Sequence, residues 1–378
     1  MLKKQQVLSA QRDSSIELFR IIAMLLVIAH HYVVNSGLTD LTGPVYANPM
    51  STASLFLLIF GAFGKIGINC FVLITGYFMC QSKISAKKFA KLFFELMFYR
   101  IIINFIFLIS GYEPLTVKAV LLTLIPFKSV ATNFTGCYLI FFLCIPFLNI
   151  LIHNLNEKQH IRLTFLSVFV YVLFGSLPFF SVTMNYVSWY IVLYFTASYI
   201  RLYPKKLLEN TKFWGIAAAT CVILCCASVI FGVWAGNLFN KNLTYFFVAD
   251  SNKLLAYITG ISSFLFFKNL KLKTNKFINT VSATTFGILL IHANGDTMRR
   301  WLWKDVLQNV EMYDSEWIYL HAILSVAGVF IVCSVIDMLR IRFVEKPFFV
   351  YWDKHFSKIS TAYLNFENKL YKKFKIDN

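Results

Sequence analysis

Apolar residues along this chain fall in long blocks, and the polar positions that interrupt them are too widely spaced for a soluble core. Stretches rich in Phe, Leu and Ile, roughly 17–25 residues long, recur from one end to the other; a helix of that length crosses ~30 Å of hydrocarbon. Ten are delimited, at 15–35, 66–79, 89–110, 135–152, 163–180, 187–203, 213–234, 254–267, 278–294 and 317–339. The second is short for a span. The pattern predicts an all-α, polytopic integral membrane protein with about ten transmembrane helices. Residues 1–350 form the membrane-embedded domain and 351–378 a basic tail. In that tail Phe356, Ile359, Tyr363, Phe366 and Leu370 recur at three- and four-residue spacing among lysines, as in a helix lying on an anionic leaflet; a disordered tail is the alternative.

Composition agrees, with 58% hydrophobic and 14% charged residues and a mean hydropathy of +0.64. The net charge of +18 at pH 7 raises the question of nucleic acid, but its distribution argues against such a partner. Most Lys and Arg fall in alternate loops and tails: 3–20, 83–91, 158–162, 201–212, 268–276 and from 340 onward. The intervening segments hold few, among them Lys118, Lys241, Lys253, Arg299, Arg300 and Lys304. The positive-inside rule then predicts an even number of spans with both termini in the cytoplasm. Lys65 and Arg100 belong to neither set.

The first span follows a basic stretch, as a signal peptide would, but its apolar run is too long and lacks a small-residue cleavage site, so it is expected to be retained. The eight cysteines form no CxxC pair and suit small apolar packing positions, so no metal site is expected.

Charged groups inside spans are costly and need a partner or a wet cavity. On the first span, Ser14 and Glu17 have capping-box spacing, and Glu17 lies one turn before Arg20. His31 follows Arg20 by eleven residues, roughly 16 Å along the helix and within about 20° of the same face, whereas His30 lies about 80° away. Taken alone, Arg20 suits an interfacial anchor; as a co-facial pair, Arg20 and His31 join a membrane edge to its interior. On the third span Lys88, Lys91 and Glu95 share one face, so Glu95 is expected to pair with a lysine. Arg100 and Asn104 share another face, with Arg100 about 13 Å deeper than Lys91. His292 sits late in the ninth span, where it and His31 are expected to open on one cavity from opposite sides.

These residues resemble acyltransferase family 3, particularly the standalone bacterial polysaccharide O-acetyltransferases. The resemblance rests on a basic residue, ten intervening residues and a histidine in the first span, here Arg20 and His31. Supporting blocks are GINCFVLITGYFM (67–79), the basic pair Lys88 and Lys91, TGCYLIFFLCIPFLN and TTFGILLIHAN. It runs from about residue 14 to 347. Lysines stand where the family usually has two arginines, which keeps the charge but loses the planar fork. Cys137 stands where tryptophan is common.

The resemblance implies transfer of an acetyl or other acyl group from cytoplasmic acetyl-CoA to a hydroxyl of an extracytoplasmic or lipid-linked polysaccharide, as in exopolysaccharide or capsule modification. His31 would be catalytic, as general base or covalent acyl carrier. Arg20, Lys88 and Lys91 would bind the phosphates of acyl-CoA. Glu17, Glu95, Arg100 and His292 would be supporting or acceptor-side residues, with Arg299 and Arg300 further acceptor-side candidates. Two other readings stay open: a transporter or flippase of a glycan intermediate that uses the intramembrane histidines as a proton path, and a non-catalytic assembly protein.

Overall fold

Asp13 accepts a hydrogen bond from the backbone N–H of Ser15 (2.9 Å) and so caps the first helix, α1 (Ser14–Val34). The expected Ser14–Glu17 capping box is therefore absent. Ser14 is inside the helix, where its hydroxyl donates to Asn279 (2.9 Å) and accepts from the N–H of Asn275 (2.8 Å), and Glu17 accepts from the Ser282 hydroxyl. These bonds tie the start of α1 to residues 275–282 instead of closing the helix on itself.

The computed structural model describes residues 12–125, 133–180 and 182–356, and every regular element among them is helical. After α1 come α2 (Thr52–Phe60), α3 (Gly64–Met79), α4 (Ala86–Ile109), α5 (Phe134–Asn154) and α6 (Glu157–Val168). They are followed by α7 (Tyr186–Leu202), α8 (Thr211–Phe239), α9 (Leu254–Asn269), α10 (Lys276–Ser282), α11 (Thr285–His292) and α12 (Ile318–Arg340). Most of the tail read as amphipathic lies outside the described residues.

Helix occupies each of the ten apolar blocks, and among the described residues six helical stretches are long and apolar enough to cross a membrane: Ser14–Val34, Thr52–Met79, Ala86–Ile109, Phe134–Asn154, Thr211–Phe239 and Ile318–Phe356. The second block is not short after all. α2 precedes α3 through a three-residue turn, and together they span 28 residues. Large apolar side chains face outward on these helices, such as Phe105 and Ile109 on α4, Phe147 on α5, Ile223 on α8 and Ile331 on α12. A water-soluble surface would not tolerate so broad an apolar belt.

Helix α1 lies at the centre of the bundle, packed against α3, α9, α10, α11 and α12. Its approach to α3 depends on missing side chains. A Cβ on Gly64 would lie 2.3 Å from both Cβ and Cγ of His30, and one on Gly67 would lie 2.9 Å from the carbonyl oxygen of Ala23. Small residues at such a crossing let two backbones come together where lipid offers no hydrophobic drive for association. Gly64→Ala is accordingly expected to destabilise the protein by about 1–3 kcal/mol through overpacking, read as a lower melting temperature in detergent; an unchanged transition would refute the close contact.

Candidate active site

Two cavities lie along α1. The first, about 360 Å³, is lined by His31 together with Lys65, Arg100, Tyr186, Asn294 and Arg299. The second, about 300 Å³, is lined by Arg20 together with Lys88, Lys91, Glu95, Thr75 and Tyr138. Met24, Phe71, Phe134 and Leu289 line both. The eleven-residue interval between Arg20 and His31 thus puts one residue in each chamber, with an apolar neck between them.

His31 does not meet His292 across the cavity, as expected from the sequence. His292 is fully buried behind it, with its Nε2 3.0 Å from His31 Nδ1. The other ring nitrogen of His292, Nδ1, lies 2.6 Å from the carbonyl oxygen of Ile288. A carbonyl only accepts, so His292 Nδ1 carries hydrogen, and in the neutral ring Nε2 is left as an acceptor. His31 must then donate from Nδ1, which leaves the lone pair on its Nε2. A backbone carbonyl on α11 therefore sets the tautomer of the histidine on α1, by the relay that orients catalytic imidazoles in general. His30 is turned away, and its Nδ1 donates to the carbonyl of Gly61 (2.7 Å).

In the second cavity, Arg20 lies 3.8 Å from the Glu17 carboxylate, and its Nε is buried without a hydrogen-bond partner. Lys88 donates to the Ser82 hydroxyl (2.6 Å) and the Lys83 carbonyl (2.8 Å). Lys91 pairs with Glu345 at 2.6 Å. Glu95 pairs with neither lysine; its partner is Arg340, at 3.0 Å. The reason is burial. Glu95 is shielded from solvent where α4 packs in the bundle, and the buried guanidinium of Arg340 reaches it while also pairing with Asp337 (2.6 Å) and Glu345 (2.7 Å). Asp337 accepts a further bond from the Tyr99 hydroxyl (2.7 Å) and fills the space left by Gly287, where a Cβ would lie 2.2 Å from its Cγ.

A family model described as an acyltransferase domain matches residues 13–338. The chain belongs to acyltransferase family 3. No match was found among curated proteins or among solved structures.

In this acyltransferase the match takes in α1 to α11 and nearly all of α12, and hence both cavities. Arg100 lines the His31 cavity and holds its guanidinium against the carbonyls of Thr123 (3.1 Å) and Leu122 (2.7 Å). Arg299 lines the same cavity. Arg300 does not, being paired with Glu113 at 3.0 Å and laid over the Tyr112 ring. Sequence reading missed two features of the site. Lys65 reaches the His31 cavity from α3; its signal was a lysine just before an apolar block, assignable to neither set of loops. The Asp337, Arg340 and Glu345 group brings three charges to the end of α12, and its signal was an acid and a base three residues apart at the end of the last span.

Proposed function

We propose that this acyltransferase moves an acetyl or similarly short acyl group from cytoplasmic acetyl-CoA to a hydroxyl of an extracytoplasmic or lipid-linked cell-surface polysaccharide. The reading takes the chain to cross the membrane about ten times with both termini in the cytoplasm, so that the Arg20 cavity faces inward and the His31 cavity outward. The observation that carries it is the pair of cavities sharing one neck. A donor that stays on one side and an acceptor that stays on the other need such a meeting point inside the bilayer.

Arg20, Lys88 and Lys91 are cations at the donor cavity, suited to the phosphates of coenzyme A. Arg20 offers an Nε that has no hydrogen-bond partner in the protein. The thioester would then pass the neck toward His31. There the Nε2 lone pair takes the proton of the acceptor hydroxyl as its oxygen attacks the thioester carbonyl carbon. The carbon–sulfur bond breaks and the thiolate leaves, to be protonated as free coenzyme A. A covalent route uses the same lone pair: Nε2 attacks the thioester carbon as the thiolate leaves, and the acyl group then passes to the acceptor oxygen, whose proton goes to the freed Nε2. In both routes His292 is a positioning residue.

The test is acyl transfer by the full-length protein in proteoliposomes, with labelled acetyl-CoA on one side and glycan from cells lacking the protein on the other. Label in the glycan as an ester supports the reading, and glycan transport without label overturns it. Arg20→Ala is expected to raise the KM for acetyl-CoA about ten- to a hundredfold, the worth of one charge-assisted phosphate contact, with the KM for acceptor unchanged. If it instead only lowers the amount of protein in the membrane, Arg20 is an anchor.

A further inference from the structure

Three cations, and no carboxylate among the described residues, line the cavity beside His31. None of the three is neutralised within it. Lys65 Nζ donates to the Tyr186 hydroxyl (2.8 Å), a neutral partner. Arg100 is spent on two backbone carbonyls. Arg299 approaches the Asp296 carboxylate at 3.4 Å, but that side chain is 91% exposed and outside the lining, and Arg299 Nε is buried with no hydrogen-bond partner. Cations held in a cleft with low-dielectric walls focus a positive potential into it. The reaction derived above does not require this, because its donor phosphates are assigned to the other cavity and its acceptor hydroxyl is neutral.

The geometry points to an anionic acceptor, a sugar whose own carboxylate or phosphate sits against Lys65 and Arg299 while a nearby hydroxyl meets His31 Nε2. The inference rests on the acyl-transfer reading and narrows its acceptor. The rest of the lining suits a sugar, with the Asn294 and Thr135 side chains for hydroxyl groups and the Tyr186 ring for an apolar sugar face. A cavity of about 360 Å³ holds one or two residues of a glycan, not a long segment.

Two measurements test it on the full-length protein in nanodiscs. The first is binding of glucuronic acid, glucose 1-phosphate and glucose, which separates a carboxylate from a phosphate and both from a neutral sugar. At least one anionic sugar is expected to bind about tenfold or more tightly than glucose, and the Lys65→Gln, Arg299→Gln double variant is expected to erase the difference. Equal binding of glucose, or a preference that survives the double variant, overturns the proposal. The second is acyl transfer to native glycan, before and after its carboxyls are reduced or its phosphates removed. The double variant is expected to raise the KM for the untreated glycan about tenfold and to leave the KM for acetyl-CoA unchanged. A rise in the KM for acetyl-CoA would assign the cations to the donor, and an equal fall in kcat for charged and neutralised glycan would assign them to the oxyanion of the transfer step; either overturns it. Selective binding of an anionic sugar without any acyl transfer would leave the site standing and refute the transfer reading instead.

Discussion

His31→Ala is expected to lower acyl transfer by about a thousandfold or more while leaving the protein folded in the membrane. A general base contributes about 10²–10⁴ to a rate, and a covalent route would lose its nucleophile altogether. The fold should tolerate the change because His31 lines a cavity and binds one other side chain, His292. His30→Ala is the internal control. That ring hydrogen-bonds the backbone of Gly61 and packs on Gly64, away from both cavities, so transfer should persist even if stability falls. Ester formation with labelled acetyl-CoA, measured on equal amounts of each variant in membranes, decides the matter. Transfer by His31→Ala at the unaltered rate would remove this histidine from the reaction.

Arg340→Ala is expected to cost about 3–5 kcal/mol of stability, the effect of stripping one partner from a buried ion pair. Arg340 is 4% exposed and is the common partner of Glu95, Asp337 and Glu345, which come from α4, α12 and the helical segment that continues it. Removing the guanidinium leaves three carboxylates confined together with Lys91 as the remaining cation. Arg340→Lys should recover little, since one ammonium cannot reproduce the fork that meets three acids. Adding Glu95→Gln to Arg340→Ala should restore part of the loss by removing one of the stranded charges. Thermal melting of the detergent-solubilised proteins measures all three. A melting temperature unchanged by Arg340→Ala would mean that the cluster does not hold α4 to α12.

Hydropathy made the bundle legible because lipid demands long apolar helices, and that demand is local in sequence. The helical angle made His31 legible against His30 for the same reason, since both lie on one helix. What hydropathy could not register is the break between α10 and α11 inside the ninth block. It falls at Ala283 and Thr284, with neither glycine nor proline to mark it. There Thr284 donates its hydroxyl to the Val281 carbonyl (2.7 Å) and meets the Ser334 hydroxyl (2.8 Å), so side chains compete with the backbone ladder. Partners distant in sequence were equally hidden. Glu95 lies one turn from Lys91, so pairing on its own helix was the natural expectation, yet its partner is Arg340 on α12. His292 lies behind His31 and not opposite it across the cavity, because one helix's angles do not tell how a second helix is rotated against it.

The neck formed by Met24, Phe71, Phe134 and Leu289 also bears on the energy of the cell that carries this enzyme. A passage through a bilayer that exposed polar groups along its whole length would conduct ions and discharge the membrane potential. Four apolar side chains at the constriction disfavour a continuous file of water, as hydrophobic gates do in channels. In the proposed reaction, an acyl group is handed from one face to the other while the membrane stays electrically sealed.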